Sequence, residues 1–402
     1  MIAVDQAEAQ ILDLVQPIAE METISLMTAT GRILAQSVTS NVDFPHWDNS
    51  AMDGYAVRAA DVVTAPVTLT VVEEIPAGVQ PQQHLEPGQA ARIFTGAMLP
   101  EGADTIAIQE EATRDGDRVT LHTAPRPQAF VRHQGEFCQR GDALLTPGTP
   151  IGPAEIAVLA TAQAAKLTVY RRPKVAIFST GNELVPPDGI LQPGQIVDSN
   201  QYALAAFVSQ QGAIPLPLGI VPDDPQQLRA TIQSAIAQAD IVLSTGGVSV
   251  GDYDFIDQLL TELGGEIHIQ SVAVKPGKPL TVATFPGCLY FGIPGNPVSA
   301  LVSCWRFIAP ALRKCSGQRG PFTPLFATAV TEQELRAGGQ RETYLWGKFT
   351  WQQGHGTFAL AGGSHSSGNL MNLAETTGLA IVPVGVTCIA AGERVRVMVV
   401  QS

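Results

Sequence analysis

Three glycine-containing segments follow short apolar runs of the kind that form buried parallel strands. They are FSTGNEL (178–184), LSTGGVSVGDYD (243–254) and IPGNPVSA (293–300). Glycine lets a backbone approach a ligand closely, and a helix N-terminus adds partial positive charge. The carboxyl ends of parallel strands meet at one edge of an open α/β sheet. The segments therefore predict an anion-binding edge, lined in part by Gly246, Gly247, Pro294, Gly295 and Asn296.

A basic turn and several carboxylates belong to the same region of the sequence. VKPGKPL (274–280) places Lys275 and Lys278 around a Pro-Gly turn, where both could face one anion, although a solvated turn has the same spacing. Lysines beside carboxylates at such an edge suit a phosphate ester bridged by Mg²⁺. Helix capping explains Asp223 and the neighbouring Asp224 equally well. The predicted metal ligands are Glu183, Asp223, Asp252 and Asp254.

Two further loops precede this region. NSAMDGYAV (49–57) concentrates polar residues around Asp53, and IFTGAMLPEGADTI (93–106) places Thr95 directly after a strand-like run. Either segment could be an ordinary turn. We favour a second domain that contributes both loops to an interdomain cleft.

Composition and motifs exclude several classes of protein. The 24 basic and 37 acidic residues give a net charge of −13, which argues against a nucleic-acid partner. The five cysteines are scattered and lack a C-x-x-C pair, as in a reduced cytosolic protein, and the seven histidines lack metal-site spacing. The sequence lacks a signal peptide, an 18-residue apolar span and the P-loop and hydrolase-elbow motifs. We therefore expect a cytoplasmic protein without a membrane partner.

The elements that position these residues indicate a multidomain α/β plus β chain. Apolar spacing predicts a helix over 5–20, with Asp5 as its N-cap and Glu8 completing a capping box. Strands at 174–179, 241–245 and 289–293 alternate with helices at 199–211, 225–239, 254–263 and 297–313. This alternation predicts an open, mainly parallel sheet. The expected units are a linker-like domain (21–46 and 141–172), an inserted β-rich domain (47–140), the α/β domain (1–20 and 173–320) and a C-terminal β-barrel (321–402).

The motifs taken together resemble one family. DNSAMDGYA, IFTGA, STGNEL, DSN, PDD, STGGVSVGDYD, KPGKP and PGNPVSA occur here in the order found in the molybdopterin molybdenumtransferases, the MoeA/gephyrin E-domain family. The resemblance runs from about Val4 to the C-terminus. It implies an elongated four-domain subunit that works as a homodimer, with the active site in a cleft between subunits.

The resemblance also implies a reaction. Such an enzyme binds adenylylated molybdopterin and molybdate, hydrolyses the adenylate in a Mg²⁺-dependent step and inserts molybdenum into the dithiolene. AMP and molybdenum cofactor are then released. A molybdopterin adenylyltransferase and apo-molybdoenzymes are the further partners that this role suggests.

Several residues match functional positions of the family. Positions tied to activity are matched by Asp53, Thr95, Glu183, Asp223 and Asp254. Positions that line the molybdate or phosphate site are matched by Ser249, Lys275 and Lys278, and Arg341 of QRETYL matches the arginine of the molybdate pocket.

The chain also departs from the family pattern. Phe137 replaces the aspartate of an R-x-x-G-E-D run, and Ser271 stands where a lysine is common. Trp346 replaces a second arginine, and Met371 and Asn372 replace serines of the C-terminal domain. These departures keep open a non-catalytic scaffold that holds the cofactor. A molybdopterin adenylyltransferase is the other alternative, because its fold is similar to the α/β domain, but the flanking β domains argue against it.

Overall fold

The computed structural model describes residues 1–246, 253–352 and 354–400. Its centre is a six-stranded sheet with strand order Ile214–Val221, Lys174–Thr180, Ile241–Thr245, Cys288–Ile293, Pro279–Phe285 and Glu266–Ser271. The first four strands are parallel to one another, and the last two join by antiparallel pairing. The prediction of a mainly parallel sheet is confirmed.

Helices cover both faces of this sheet because its central strands are mainly apolar and are buried along almost their whole length. The α-helices are Val4–Leu14, Asn200–Gln210, Pro225–Gln238, Tyr253–Glu262 and the run Pro297–Ser303 to Ala309–Cys315, which is joined by a π-turn at Cys304–Ile308. A short pair of strands, Leu184–Val185 and Ile196–Val197, flanks the sheet edge.

The first helix is shorter than predicted. It ends at Leu14 instead of residue 20, because Pro17 disfavours helical backbone in the residue before it. Asp5 is not its N-cap, since Ala3 holds that position without a side-chain hydrogen bond. Asp5 and Glu8 instead form ion pairs with Arg306, so their spacing reflects a tertiary contact.

The segments before residue 174 form a linker-like unit and an inserted β unit. The linker-like unit pairs Met21–Ser25 with Lys166–Tyr170 and Val38–Thr39 with Ala143–Leu145, beside the helix Pro153–Thr161. The inserted unit has a six-stranded sheet, in the order Thr105–Ile108, Gly54–Val57, Gln89–Ile93, Val67–Ile75, Arg118–Leu121 and Ala112–Asp115. A further pair in that unit is Asn49–Ser50 with Val131–Arg132. Short 3-10 turns occur at Leu26–Thr28, Ala59–Asp61, Gln109–Glu111 and Met371–Leu373.

The C-terminal segment closes into a five-stranded barrel. Its strands are Phe326–Thr331, Glu342–Gln352, His355–Leu360, Gly378–Val382 and Arg394–Val399, with a separate pair Leu335–Arg336 and Cys388–Ile389. Closure occurs because Glu342–Gln352 is long enough to pair with both His355–Leu360 and Gly378–Val382. Tyr344 and Trp346 on that strand belong to the same buried apolar cluster as the α/β sheet. The predicted β-barrel is confirmed, and the four domain boundaries remain predictions.

No helix of the described chain is long and apolar enough to cross a membrane.

Candidate active site

The carboxyl ends of the parallel strands lie side by side, as the sequence predicted. Ser179 is in register with Thr245, and Thr245 is in register with Ile293. The strands end at Thr180, Thr245 and Ile293, and the loops that follow them begin at Gly181, Gly246 and Pro294. Three loops from distant parts of the chain therefore leave the sheet at one edge.

The second loop leaves the sheet so close to the first strand that only glycine fits at position 246. Gly246 has φ +90°, and a Cβ built on it would lie 2.2 Å from the carbonyl oxygen of Thr180. A Cβ on Gly295 would lie 3.4 Å from the Cα of Gly246. The absence of a side chain at Gly246 lets the first two backbones approach closely, and Gly295 brings the third within van der Waals distance, which is the property that an anion cradle needs.

A buried polar cluster below the loops was not assigned a role from the sequence. Asp198 is 2% exposed and accepts hydrogen bonds from Ser179 Oγ (3.0 Å) and from the backbone N–H of Gln201 (3.2 Å). Asn200 Nδ2 donates to the carbonyl oxygen of Gly295 at 2.7 Å. The DSN motif thus supports two of the three loops from beneath, and its sequence signal was a polar triplet directly before a helix.

Two of the predicted metal ligands border the first loop. The Oδ2 atom of Asp223 accepts from the backbone N–H of Asn182 at 3.1 Å, while Asn182 Oδ1 accepts from the N–H of Asp223 at 3.2 Å. Glu183 folds back beside Gly181, whose added Cβ would lie 2.5 Å from Glu183 Oε2. Asp224 is different, because it caps the helix Pro225–Gln238 by accepting from Gln227 N. Capping therefore accounts for Asp224 and not for Asp223.

The rest of the predicted metal set is not placed. Gly247, Ser249 and Asp252 lie outside the described residues, and Asp254 is described only as part of the helix Tyr253–Glu262. In residues 1–246, 253–352 and 354–400, no three His, Cys, Asp or Glu side chains cluster as a metal site would. The metal assignment remains a prediction.

The KPGKP turn packs against the helix that begins after the third loop. A Cβ on Gly277, which has φ +108°, would lie 3.2 Å from Ser303 Oγ on that helix. Lys275 and Lys278 are both exposed, and within the described part of the chain neither forms an ion pair. Arg341 reaches the same turn and donates from Nη1 to the carbonyl oxygen of Val274 at 3.3 Å. Two cationic segments predicted separately are therefore neighbours.

The barrel brings one further loop close to the site. A Cβ on Gly368 would lie 4.0 Å from Oδ1 of Asn296 in the third loop. Asn372 holds the segment that contains Gly368, since its Nδ2 donates to the carbonyl oxygens of Gly362 and Ser364. Its Oδ1 accepts from Trp346 Nε1 at 3.0 Å. Two of the departures from the family pattern are thus in direct contact, with the Trp346 indole 1% exposed in the core.

The other three departures from the family pattern are Phe137, Met371 and Ser271. Phe137 is 59% exposed and lies with its ring centroid 5.9 Å from that of Phe44. Met371 is 85% exposed. Ser271 ends the strand Glu266–Ser271, and its carbonyl oxygen accepts from Ile2 N.

Asp53 and Thr95 form a pair in the inserted unit. Asp53 Oδ1 accepts from both the backbone N–H and the hydroxyl of Thr95, each at 2.8 Å. These two hydrogen bonds, aided by the charge of Arg92, lower the pKa of Asp53 below its ordinary value, so the pair holds a carboxylate. Gly96 N donates to the carbonyl oxygen of Ser50, which joins the two loops into one unit.

The structure therefore assembles the predicted residues in two groups. One group lies at the sheet edge: Gly246, Pro294, Gly295, Asn296, Glu183, Asp223, Lys275, Lys278 and Arg341. The other is the pair Asp53 and Thr95. Among the hydrogen bonds and ion pairs of the described residues, none joins this pair to the sheet-edge loops of the same chain.

Known protein families match three successive parts of the chain. Residues 2–162 match the MoeA N-terminal region (domain I and II). Residues 176–314 match the family described as a probable molybdopterin binding domain. Residues 328–400 match the MoeA C-terminal region (domain IV). The architecture and its loops thus define a protein of the MoeA class.

Individual relatives agree along almost the full length. The chain is 55% identical over 94% of its length to a molybdopterin molybdenumtransferase of Nostoc sp., of which it covers 88%. It is 33% identical over its full length to the Bacillus subtilis molybdopterin molybdenumtransferase, of which it covers 94%. A crystal structure of the molybdopterin biosynthesis MoeA protein from Pyrococcus horikoshii has a TM-score of 0.84 at 28% identity, with all of both chains covered. The chain belongs to the molybdopterin molybdenumtransferase family.

Proposed function

We propose that this chain is a molybdenum insertase. It inserts molybdenum from molybdate into adenylylated molybdopterin, hydrolyses the adenylate, and releases AMP and molybdenum cofactor. The observation that carries the proposal is the convergence of two described glycine loops, the KPGKP turn and Arg341 at one sheet edge, in a chain whose relatives are named for this transfer. The converging groups have the chemistry that a phosphate ester and an oxyanion require.

The cations have complementary tasks at this edge. Lys275, Lys278 and Arg341 neutralise molybdate and the phosphate oxygens, and Ser249 adds a hydroxyl. Arginine supplies a planar fork of donors that matches an oxyanion, whereas lysine acts as a compact point charge. The N–H groups around Gly246 and Gly295 fix the orientation of the bound anion. Asn200 bonds the backbone of Gly295, and Asp198 accepts from Ser179, whose hydroxyl oxygen accepts in turn from Thr245 beside Gly246.

The carboxylates fit a Mg²⁺ ion. Glu183 and Asp223 present hard oxygen ligands beside the same loop, which is the donor type that Mg²⁺ prefers. Asp252 and Asp254 complete the proposed set. When bound, the ion supplies positive charge to the bridging phosphates. The protein's own part is to hold Glu183 and Asp223 beside the first loop.

The Asp53–Thr95 pair supplies the group that orients the attacking water at the phosphate. Its carboxylate stays charged because Thr95 donates two hydrogen bonds to one of its oxygens. Since the pair lacks a bond to the sheet edge of its own chain within the described residues, we place it opposite the sheet edge of a second copy. The working unit is then a homodimer with two composite sites.

A reconstitution experiment tests the function. Purified protein, adenylylated molybdopterin, molybdate and Mg²⁺ are combined, and AMP release and transfer of active cofactor to an apo-molybdoenzyme are followed. We expect both products, and we expect Lys275→Ala to reduce them strongly. The matched control is Lys348→Ala, an exposed lysine of the barrel strand Glu342–Gln352 that pairs with Glu375, and it should keep wild-type rates. A verified substrate that yields no AMP with the wild-type protein would refute the proposal.

A further inference from the structure

Arg306 is the most buried guanidinium of the described chain, at 1% exposure. It lies in the π-turn Cys304–Ile308, within the continuous helical run that starts at Pro297 after the third loop. A π-turn contains one more residue per hydrogen-bonded ring than an α-helix and so changes the direction in which a side chain points. Here it accompanies an arginine that points into the core between domains.

Arg306 has three partners from two other parts of the chain. Nη2 donates to Asp5 Oδ1 at 2.8 Å and Nη1 donates to Glu8 Oε2 at 2.5 Å, both on the first helix. Nε donates to the hydroxyl oxygen of Tyr344 on the barrel strand at 3.0 Å. That hydroxyl donates in turn to Glu342 Oε1 at 2.5 Å. One residue thus ties the first helix, the helix below the third loop and the barrel together.

The barrel end of this network lies directly next to the predicted cations. Glu342 is in register with Val274, and Thr343 is in register with Lys275. The backbone N–H of Glu342 donates to the carbonyl oxygen of Ala273 at 3.0 Å. Arg341, the residue before Glu342, donates to Val274. The network therefore ends where the barrel strand Glu342–Gln352, which begins directly after Arg341, pairs with the short strand Val274–Lys275.

The strength of the network follows from its burial. A guanidinium removed from water is tolerated only with well-placed partners, and removing one partner of such a set leaves an uncompensated polar group. The geometry of Arg306, Tyr344 and Glu342 is therefore tightly defined. By contrast, the direct contact between Arg341 and Val274 is a single hydrogen bond at 3.3 Å, too long to set the position of the cation alone.

We propose that Arg306 is a positioning residue that acts through the Tyr344 hydroxyl to set the spacing of Arg341 and Lys275 above the loop at Asn296. The inference deepens the proposed function and rests on it, since the aligned groups are those assigned to molybdate. Its consequence is that molybdate affinity depends on a contact buried between domains, in which neither partner touches the anion.

The test compares two buried tyrosines. Tyr344→Phe removes only the hydroxyl that links Arg306 to Glu342. Tyr290→Phe removes an equally buried hydroxyl, bonded to Ser244 Oγ at 2.6 Å in the opposite core of the sheet, and is the matched control for lost stability. Both variants should melt at a lower temperature than the wild type. Only Tyr344→Phe should raise the KM for molybdate, by about three- to tenfold, with a smaller change in kcat.

Two further measurements distinguish a positioning role of Arg306 from a general loss of stability or of turnover. Glu342→Gln keeps an acceptor for the Tyr344 hydroxyl and should retain most of the wild-type KM. Hydrogen exchange at the Glu342 amide should accelerate in Tyr344→Phe and stay unchanged in Tyr290→Phe, whether or not the protein turns over. A wild-type KM together with unchanged exchange in Tyr344→Phe overturns the inference, as does an equal rise in KM for both tyrosine variants. Absence of turnover in the wild type instead counts against the proposed function, and the exchange data then decide the inference alone.

Discussion

Thr95 lowers the pKa of Asp53 through its backbone N–H and, to a smaller extent, through its hydroxyl, and this gives a pH-dependent prediction at the scale of single residues. The two hydrogen bonds from Thr95 lower the pKa of Asp53, so the folded protein favours the carboxylate. A carboxyl with a lowered folded-state pKa stabilises the fold above its unfolded-state pKa, and this contribution is lost as the pH falls through the folded-state value. Thr95→Val removes the hydroxyl bond and keeps the backbone bond. We expect the acid limb of the pH–rate profile to move to higher pH.

The control for this shift lies in the same unit. Thr120 shares a hydrogen bond with Thr68 on an exposed face, so Thr120→Val removes a comparable hydroxyl away from Asp53. It should leave the acid limb where it is. An acid limb that stays in place in Thr95→Val would mean that Asp53 does not limit the rate in that pH range.

Phe137 offers a second test at this scale. Its ring is 59% exposed and contacts Phe44, so replacement should be tolerated by the fold. Phe137→Asp restores the acid that the family pattern places there, and we expect a modest gain in the rate of AMP release. Phe137→Ala separates loss of the ring from gain of the carboxylate. A lost or unchanged rate in Phe137→Asp would show that this position does not limit turnover.

The sequence predicted the exposed residues of the site better than the buried residues that hold them in place. Glycines, lysines and exposed carboxylates carry their chemistry in their identity and spacing, so KPGKP and the loops at Gly181 and Gly246 could be assigned from sequence. Asp198 could not, because its role depends on a side-chain hydrogen bond from Ser179, which lies 19 residues earlier in the chain. Asp5 and Glu8 were misassigned as capping residues for the same reason, since Arg306 lies about three hundred residues away.

At the scale of elements, the close approach of two strand-end loops gives a matched glycine pair. Gly246 and Gly194 have nearly the same φ, +90° and +88°. An added methyl at Gly194 meets open space, whereas at Gly246 it would overlap the carbonyl oxygen of Thr180. Gly194→Ala should cost about 1–2 kcal/mol from its backbone conformation alone. Gly246→Ala should cost about 1–3 kcal/mol more because of overpacking, and should weaken substrate binding.

Denaturant unfolding and substrate titration of the two variants measure these differences. Equal free energies of unfolding and equal affinities would mean that the first two loops do not need their close contact. Because both glycines have nearly the same φ, the difference between the two variants excludes the cost of placing alanine in that backbone conformation.

The elements themselves were predictable to different degrees. The strands at 174–180 and 241–245 and the helices between them follow from apolar runs and caps, because local signals and burial agree there. The hairpin of Glu266–Ser271 with Pro279–Phe285 was not predicted. The KPGKP turn, which the sequence pattern predicts as a loop, lies between its two strands. Their antiparallel pairing depends on the neighbouring strand Cys288–Ile293.

At the scale of the whole molecule, we propose that the two groups of site residues complete one active site across a dimer. Asp53 and Thr95 belong to the inserted unit, and the cations belong to the α/β domain and the barrel. Within the described residues, no hydrogen bond joins the two groups inside one chain. A symmetric dimer contacts itself through the same surfaces twice, so it would create two composite sites, each with Asp53 from one subunit and Lys275 from the other.

Mixed dimers distinguish this arrangement from a site within one chain. Asp53→Asn and Lys275→Ala should each be nearly inactive alone. In a mixed dimer, one composite site receives both substitutions and the other receives neither. Random exchange of equal amounts makes about half of the dimers mixed, so about a quarter of wild-type activity should return.

Mixing Asp53→Asn with Thr95→Val, which alter the same half of the site, is the control and should restore nothing beyond the activity of Thr95→Val itself. If subunit exchange is verified and the first mixture stays inactive, the site is complete within one chain.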